Sequence, residues 1–596
     1  MIATETFSTF AGLLNNMDQF AQPDTIRSDV GDYDASLESD PALAFLSDGA
    51  MPDDLSQTAV IGIIDDAVPF ANQRLTIGGK DARLAGIWMQ DGAVKHALHP
   101  GIGADLPFGT ELRGAQISGL LDDLVNGRLA DEEAIYRKAG VVDFSRGSTQ
   151  SAAFFGNHGA AVADLAAGFS PDDALARNFP VMAVSLPPEV TRDTLGTFAP
   201  VYILTAILYL IQRTRRLCKW LESKHGSPVR LPLIINISYG ILAGAKDGSS
   251  LVERFQDAVS DNDHPEVGPI HFVLPMGNHR QSQTHAVLQA DGADKLDWEL
   301  KPDDNTPSFV EIWGPMRDSP EPPEACMQLV LGRGAGDLER TGFTTHGTFE
   351  DLRQNGRPAG RAYLQYRRFG GGGREVVTLA MYPTLPSLPG ADYVQPGLVR
   401  IGAVLPDGDA VDAYIQRDDS IRRFRSGGRQ SKFLDPGYQT HDPAGRELPF
   451  DQRGADTSVI RAGTVNAFAC GFNQIRVGGT YGDEDTVDGQ PTGDVVHYSG
   501  LGLVGDGRII TGDVTAPADR SRIRPGIVTM GALSGSRQAV SGTSMSAPSV
   551  TMSLARILAE QPDGFEVTPQ NIAAVLRGGP RPRTAGPQNT KGTKRF

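Results

Sequence analysis

Three apolar runs constrain the fold of this chain more than any other feature. TAVIGIIDDAVPF (58–70), LPLIINISYG (231–240) and HFVLPMGN (271–278) are short, almost continuously hydrophobic, and closed by carboxylates, Gly or Asn. A strand buried on both faces reads this way, whereas a half-solvated strand alternates and a surface helix shows a helical period. Helical patterns stand between and around the runs, over 157–168, 199–224 and 249–260. Strands that alternate with helices build an α/β fold with a mostly parallel sheet. In such sheets function gathers at the carboxyl ends of the strands, where the polar closures of the runs fall.

From about 295 the pattern changes. SFVEIWGP, MQLVLG, AYLQYRRF, EVVTLAMY, LVRIGAVL and AVDAYIQR are strand-length runs, separated by turn formers such as GGGG (370–373) and LPDGD (405–409). Short strands at this spacing predict an antiparallel β-sandwich. The α/β pattern returns near 458 with VIRAGTVNAF. The predicted organisation is an N-terminal extension over 1–55, with one short helix at about 5–20, and a first α/β part over 56–290 carrying an insertion at about 80–153. An inserted β-sandwich over 291–457, a second α/β part over 458–578 and a disordered basic tail over 579–596 complete it.

Composition excludes some classes of function. The net charge of −17 speaks against nucleic acid as a partner. Cys218, Cys326 and Cys470 are the three cysteines, none in a CxxC pair, so no disulfide framework is expected. The first residues, MIATETFSTFAGLLNNMDQF, lack the basic and apolar regions of a secretory signal. VYILTAILYLIQ (201–212) is too short to span a bilayer, is followed by RTRR, and reads as a buried helix. A cytoplasmic protein with no membrane partner is the expectation.

Four residues carry the candidate chemistry. Asp65 closes a predicted strand; read alone it could equally be a helix cap or turn residue. His158 opens a helix, Asn278 follows Gly277 as a turn residue would, and Ser544 in SGTSMSAP (541–548) could be an N-cap. Together they supply what an alcohol nucleophile needs: a base, a carboxylate to orient it, and a donor for an oxyanion. Their order along the chain is Asp, His, Asn, Ser.

With those residues in place, the chain resembles the subtilisin-like (subtilase) serine peptidases. VIGIIDDA matches the strand ending in the family's catalytic Asp, and NHGAAVADLAAG matches its His helix. IINISYG matches the edge strand that pairs with substrate, VLPMGN the strand ending in the oxyanion Asn, and SGTSMSAP the nucleophile motif. HYSGLG (497–502) and DVTAPA (513–518) resemble the segments before the nucleophile. The family has Asp-Thr-Gly or Asp-Ser-Gly where this chain has Asp65-Asp66-Ala67, so Asp66 stands as a rival for the acid, and Asp65 is preferred because it aligns with the end of the apolar strand.

The resemblance implies an Asp65–His158–Ser544 triad, with Asn278 and the Ser544 N–H binding the oxyanion. It implies a polypeptide substrate lying along Ser238, Tyr239 and Gly240, with Pro275, Met276 and Gly277 at the pocket for the side chain before the scissile bond. Pro548 would sit in the first turn of the nucleophile helix. Alternatives within and outside this reading are a latent protease, activated by a regulatory protein partner or by processing, and a non-catalytic peptide-binding module. No cofactor is implied and no zinc motif is seen. Some subtilases hold structural calcium, which YGDEDTVDG (481–489) could ligate if it is not a solvated acidic loop.

Overall fold

The computed structural model describes residues 37 and 39–560, apart from 93–97, 100, 143–156, 192–198, 263, 265, 334–336, 341, 355, 370, 387, 420, 423–424, 427, 453, 483–485, 488–489, 492–493 and 504–508; beyond 560 it describes 567–568 and 571–572. The helix expected at 5–20, the tail over 579–596 and much of the acidic stretch 481–489 lie outside the described residues.

The three apolar runs form adjacent strands of one sheet. These are β1 (Val60–Asp66), β5 (Leu233–Ile237) and β6 (Ile270–Pro275), joined by β2 (Leu84–Met89), β3 (Thr110–Arg113), β4 (Val181–Leu186), β7 (Ile475–Tyr481) and β8 (Val514–Asp519). The order is β8-β7-β6-β5-β1-β4-β2-β3; every pairing is parallel except that of the edge strand β3 with β2. The stretch read as an insertion at 80–153 thus supplies two strands of the main sheet, β2 and β3.

Helices cover both faces. Ile61 and Ile63 of β1 pack with α1 (His158–Ala167) and α4 (Thr543–Glu560). Val60 and Ile64 pack with α2 (Ala199–His225) and α3 (Leu251–Asp261). Side chains alternate across a strand, so Asp65 shares the face of Ile61 and Ile63 and points to the side where α1 and α4 lie. The mostly apolar α1 packs directly on α4, which brings the two helix starts to the same end of the sheet. No helix of the described residues is long and apolar enough to cross a membrane.

Two antiparallel sheets lie between β6 and β7. One contains Leu296–Leu300, Gln328–Arg333 and Gly397–Val404; the other contains Ser308–Trp313, Arg357–Phe369, Gly372–Met381 and Ala410–Ile415. Trp298, Leu329 and Ile401 from the first share a core with Ile312, Leu364 and Leu379 from the second. The earliest strand, His285–Gln289, pairs with Ala410–Ile415 and lies upstream of the boundary at 291 read from sequence. A five-residue strand ending in an exposed Gln carries too little periodicity to mark that boundary. Trp313, Val376 and Tyr414 pack on Ala243 and Ala245, seating this unit against the loop beyond β5. Arg374 reinforces the seat with a 2.9 Å ion pair to Asp247.

Candidate active site

Asp65 is 4% exposed at the carboxyl end of β1. Its Oδ1 accepts the Asp66 N–H at 2.8 Å and lies 2.7 Å from His158 Nδ1. Asp66 does something else: its Oδ1 accepts the Gly159 N–H at 2.6 Å, at the start of α1. Of the two adjacent carboxylates, Asp65 contacts the imidazole and Asp66 anchors the helix that carries it. A carboxylate at that end also suits the positive pole of the helix. Ala67, where the family has Gly, takes the left-handed backbone region at φ +27°, a conformation that strains a side-chain-bearing residue.

His158 stands at the first position of α1, behind an Asn157 N-cap whose Oδ1 accepts the Ala160 N–H at 2.7 Å. Gly159 is required by contact: a Cβ there would lie 1.6 Å from the Asp66 carbonyl oxygen. The ring of His158 is 35% exposed. Burial opposes a positive charge on it, but the facing Asp65, with Asp66 behind, outweighs burial and lifts its pKa to about 9; Arg417 acts against them. Gln538 Nε2 donates to the Asn157 carbonyl at 2.8 Å and ties the strand leading to Ser544 to the residue before His158.

The Ser544 corner is built from several directions. Ser541 Oγ donates to Asp519 Oδ1 at 2.7 Å, and Gly542 N–H donates to the Ala518 carbonyl at 3.2 Å. Gly542 has φ +141°, which a residue with a Cβ adopts only with strain, and a Cβ there would stand 3.1 Å from Asn278 Nδ2. Thr543 begins α4 and donates both N–H and Oγ1–H to Asn278 Oδ1, each at 2.9 Å. The Thr543 Oγ1 in turn accepts the Gly277 N–H at 3.1 Å. These bonds fix the Asn278 amide with its oxygen toward the helix and its Nδ2–H2 turned away. Among the described residues, neither that amide nitrogen nor the Ser544 N–H has an acceptor. The Ser544 hydroxyl makes only a long 3.5 Å bond to the Ser238 carbonyl oxygen.

Pro548 lies in the helix interior, not in its first turn as the sequence suggested, because α4 already begins at Thr543. Proline there removes the N–H that would serve the carbonyl four residues back, that of Ser544. Ser238 Oγ supplies the missing donor at 3.2 Å, and Asn236 Nδ2 supports that hydroxyl at 2.9 Å. Ser238, just beyond β5, therefore links that strand to α4 at the carbonyl the proline leaves unserved.

Of the remaining sequence candidates, Ser238 is buried, Tyr239 half-buried and Gly240 exposed, forming a continuous segment beyond β5. Pro275 ends β6, Gly277 has φ +92°, and the Met276 side chain is fully buried in the core facing α2 and α3. Sequence reasoning missed Asn466. Its Nδ2 donates to the Tyr239 carbonyl at 3.2 Å and the Pro275 carbonyl at 3.3 Å, bridging the two segments. A Cβ on Gly240 would overlap the Asn466 side chain at 2.0 Å, so the glycine is what lets the amide in. Gln416 was also missed: its Oε1 accepts the Leu242 N–H at 2.9 Å and the Ala243 N–H at 3.3 Å. Neither residue belongs to a motif, and no local signal marked them.

A carboxylate-bound imidazole and a helix-start serine thus stand on a mainly parallel α/β frame. Residues 417–585 match the model of the Peptidase_S8 (subtilase) family. Among solved structures it is similar to the CspB protease of Clostridium perfringens, with a TM-score of 0.54 and 15% identity over 85% of this chain and 84% of that one. A likeness at that identity speaks for the fold. No curated protein matches the chain.

Proposed function

We propose that this protein is an endopeptidase working through an Asp65–His158–Ser544 triad and an acyl-enzyme. One observation carries the reading. The start of α1 carries the Asp65–His158 pair, and the start of α4, which packs on α1, carries Ser544 with a hydroxyl only weakly held and two donors without acceptors among the described residues, Asn278 Nδ2–H and Ser544 N–H. His158 takes the proton as Ser544 Oγ, swung away from the Ser238 carbonyl, attacks the scissile carbonyl carbon. The tetrahedral oxyanion is held by Asn278 Nδ2–H and the Ser544 N–H, and Asp65 stabilises the imidazolium. His158 then gives its proton to the leaving amine, and a water molecule, deprotonated by the same ring, releases the acyl group and restores Ser544.

The substrate backbone would pair with Ser238–Gly240 in strand fashion. Gln416 already occupies the N–H groups of Leu242 and Ala243, so the pairing edge is short. The Asn466 amide closes the gap between Tyr239 and Pro275, which favours a small or amide-complementary side chain before the scissile bond. A fluorophosphonate probe and a peptide library test the proposal on the full chain. Labelling of Ser544 and cleavage that vanishes in Ser544→Ala are expected. Asn278→Ala should lower kcat roughly 10²–10³-fold, the size known for the oxyanion asparagine of subtilisin. Labelling that appears only after a partner or a processing step is added would identify a latent form of the same enzyme. Equal cleavage by wild type and Ser544→Ala would overturn the catalytic assignment, and no labelling of Ser544 under any condition would overturn the proposal in favour of a binding module.

A further inference from the structure

The antiparallel unit holds a second cluster of reactive side chains that the proteolytic reading does not use. Cys326 lies just before the strand Gln328–Arg333, His346 in the loop before Thr348–Gln354, and Glu375 on Gly372–Met381. Each brings one ligand atom, and the three atoms lie within 4.8 Å of one another. Cys326 Sγ is 3.8 Å from His346 Nδ1, and His346 Nε2 is 2.9 Å from Glu375 Oε1. Gln328 staples the two loops, its Nε2 donating to the carbonyls of Cys326 at 3.1 Å and Phe343 at 2.8 Å.

The carboxylate provides an independent sign. Glu375 is 1% exposed, and its Oε1 accepts the Met327 N–H at 2.9 Å as well as facing His346. Its Oε2 is buried and has no hydrogen-bond partner among the described residues. A buried carboxylate oxygen without a donor is costly unless a cation or water takes its lone pairs. Around a tetrahedral zinc ion, bonds of about 2.3 Å to sulfur and 2.0–2.1 Å to nitrogen separate those two atoms by roughly 3.5 Å. The 3.8 Å between Cys326 Sγ and His346 Nδ1 is close to that spacing.

We propose that Cys326, His346 and Glu375 form a binding site for a thiophilic divalent cation of the zinc type. Sulfur and imidazole donors select such an ion over magnesium or calcium, which take oxygen ligands. Cys326 Sγ and His346 Nδ1 would take two positions on the ion, Glu375 Oε1 facing His346 Nε2 would orient the ring from behind, and water would fill the remaining positions. Binding forms a metal–sulfur bond and releases the Cys326 thiol proton to solvent, with no change of oxidation state. The ligands come from segments on both sheets of the unit, so the ion would clamp them together.

Cobalt(II) titrated into the full chain tests the site, with zinc(II) as competitor. One ion per chain should bind with a thiolate-to-cobalt charge-transfer band in the near ultraviolet. Zinc should displace the cobalt, Cys326→Ser should abolish the band, and His346→Gln should weaken binding at least tenfold. Because a variant can fail to fold, iodoacetamide alkylation of wild-type Cys326, read by peptide mass, gives a second measure. Stoichiometric zinc should slow that alkylation at least tenfold; Cys218 and Cys470, 1% and 0% exposed, serve as internal references. A cobalt spectrum without the thiolate band, a band surviving in Cys326→Ser, or alkylation of Cys326 indifferent to zinc would each overturn the proposal. Fast alkylation that zinc does not affect would mark a histidine-assisted reactive thiol instead.

Discussion

Gly159→Ala puts the geometry of the site to its sharpest test. The new methyl carbon would stand 1.6 Å from the Asp66 carbonyl oxygen, backbone against helix start, with no flexible side chain to yield. Ordinary C···O contact is about 3.3–3.6 Å, so the start of α1 must retreat by roughly 1.7 Å or more. That movement carries the 2.6 Å Gly159–Asp66 bond and the 2.7 Å His158–Asp65 bond beyond hydrogen-bond reach. Displacement of about 1 Å at a catalytic group costs on the order of 10²-fold, so kcat/KM should fall by about that factor or more. The His158 pKa should return from about 9 toward its ordinary value, because the facing carboxylates no longer outweigh burial. The assay is kcat/KM on a cleaved peptide, paired with an NMR titration of His158. Ala163→Gly, at a fully buried position in the same helix, is the control. It costs about 1 kcal/mol in helix propensity and should leave activity within about threefold. A Gly159→Ala enzyme within threefold of wild type, with His158 still titrating near 9, would refute the reasoning.

Four further outcomes follow from the same contacts. A general base must be neutral, and a raised His158 pKa means kcat/KM should climb with pH along a limb above 6.5, toward about 9; Asp66→Asn, which removes one supporting charge, should move that limb to lower pH. The stabilisation from this ion pair has the opposite sense, being fully present below pH 6.5 and lost as pH rises through about 9, which unfolding followed across that range checks. Asn466→Ala removes two bridging bonds and should cost about 1–3 kcal/mol in denaturant unfolding, while a peptide library shows larger residues accepted before the scissile bond. Ser238→Ala leaves the Ser544 carbonyl unserved and should cost about 1–3 kcal/mol, but distinctly less in a Pro548→Ala background, where a helical N–H takes over; additive effects in the double-mutant cycle would count against the cross-link.

Local pattern alone determined the frame. The unbroken hydrophobicity of 58–64, 231–237 and 270–275 marks strands buried on both faces, and the polar residues closing them fall at the sheet's functional edge. The small residues of SGTSMSAP marked a tight corner, and Gly542 at φ +141° is that corner. Sequence favoured Asp65 over its neighbour Asp66 only by its alignment with the end of the apolar strand, since adjacent residues there otherwise differ only in the side they face. Which side carries the histidine depends on where α1 packs, and only the fold decides that Asp65 meets His158 while Asp66 holds Gly159. The same limit hid Asn466, about 190 residues from Pro275 in the chain, and the cluster of Cys326, His346 and Glu375, spread over three segments. Periodicity and turn chemistry act over a few neighbouring residues and so can be read along the chain. Contacts between distant side chains arise only when elements pack, and the Asn466 bridge between Tyr239 and Pro275 and the cluster in the inserted unit belong to tertiary structure.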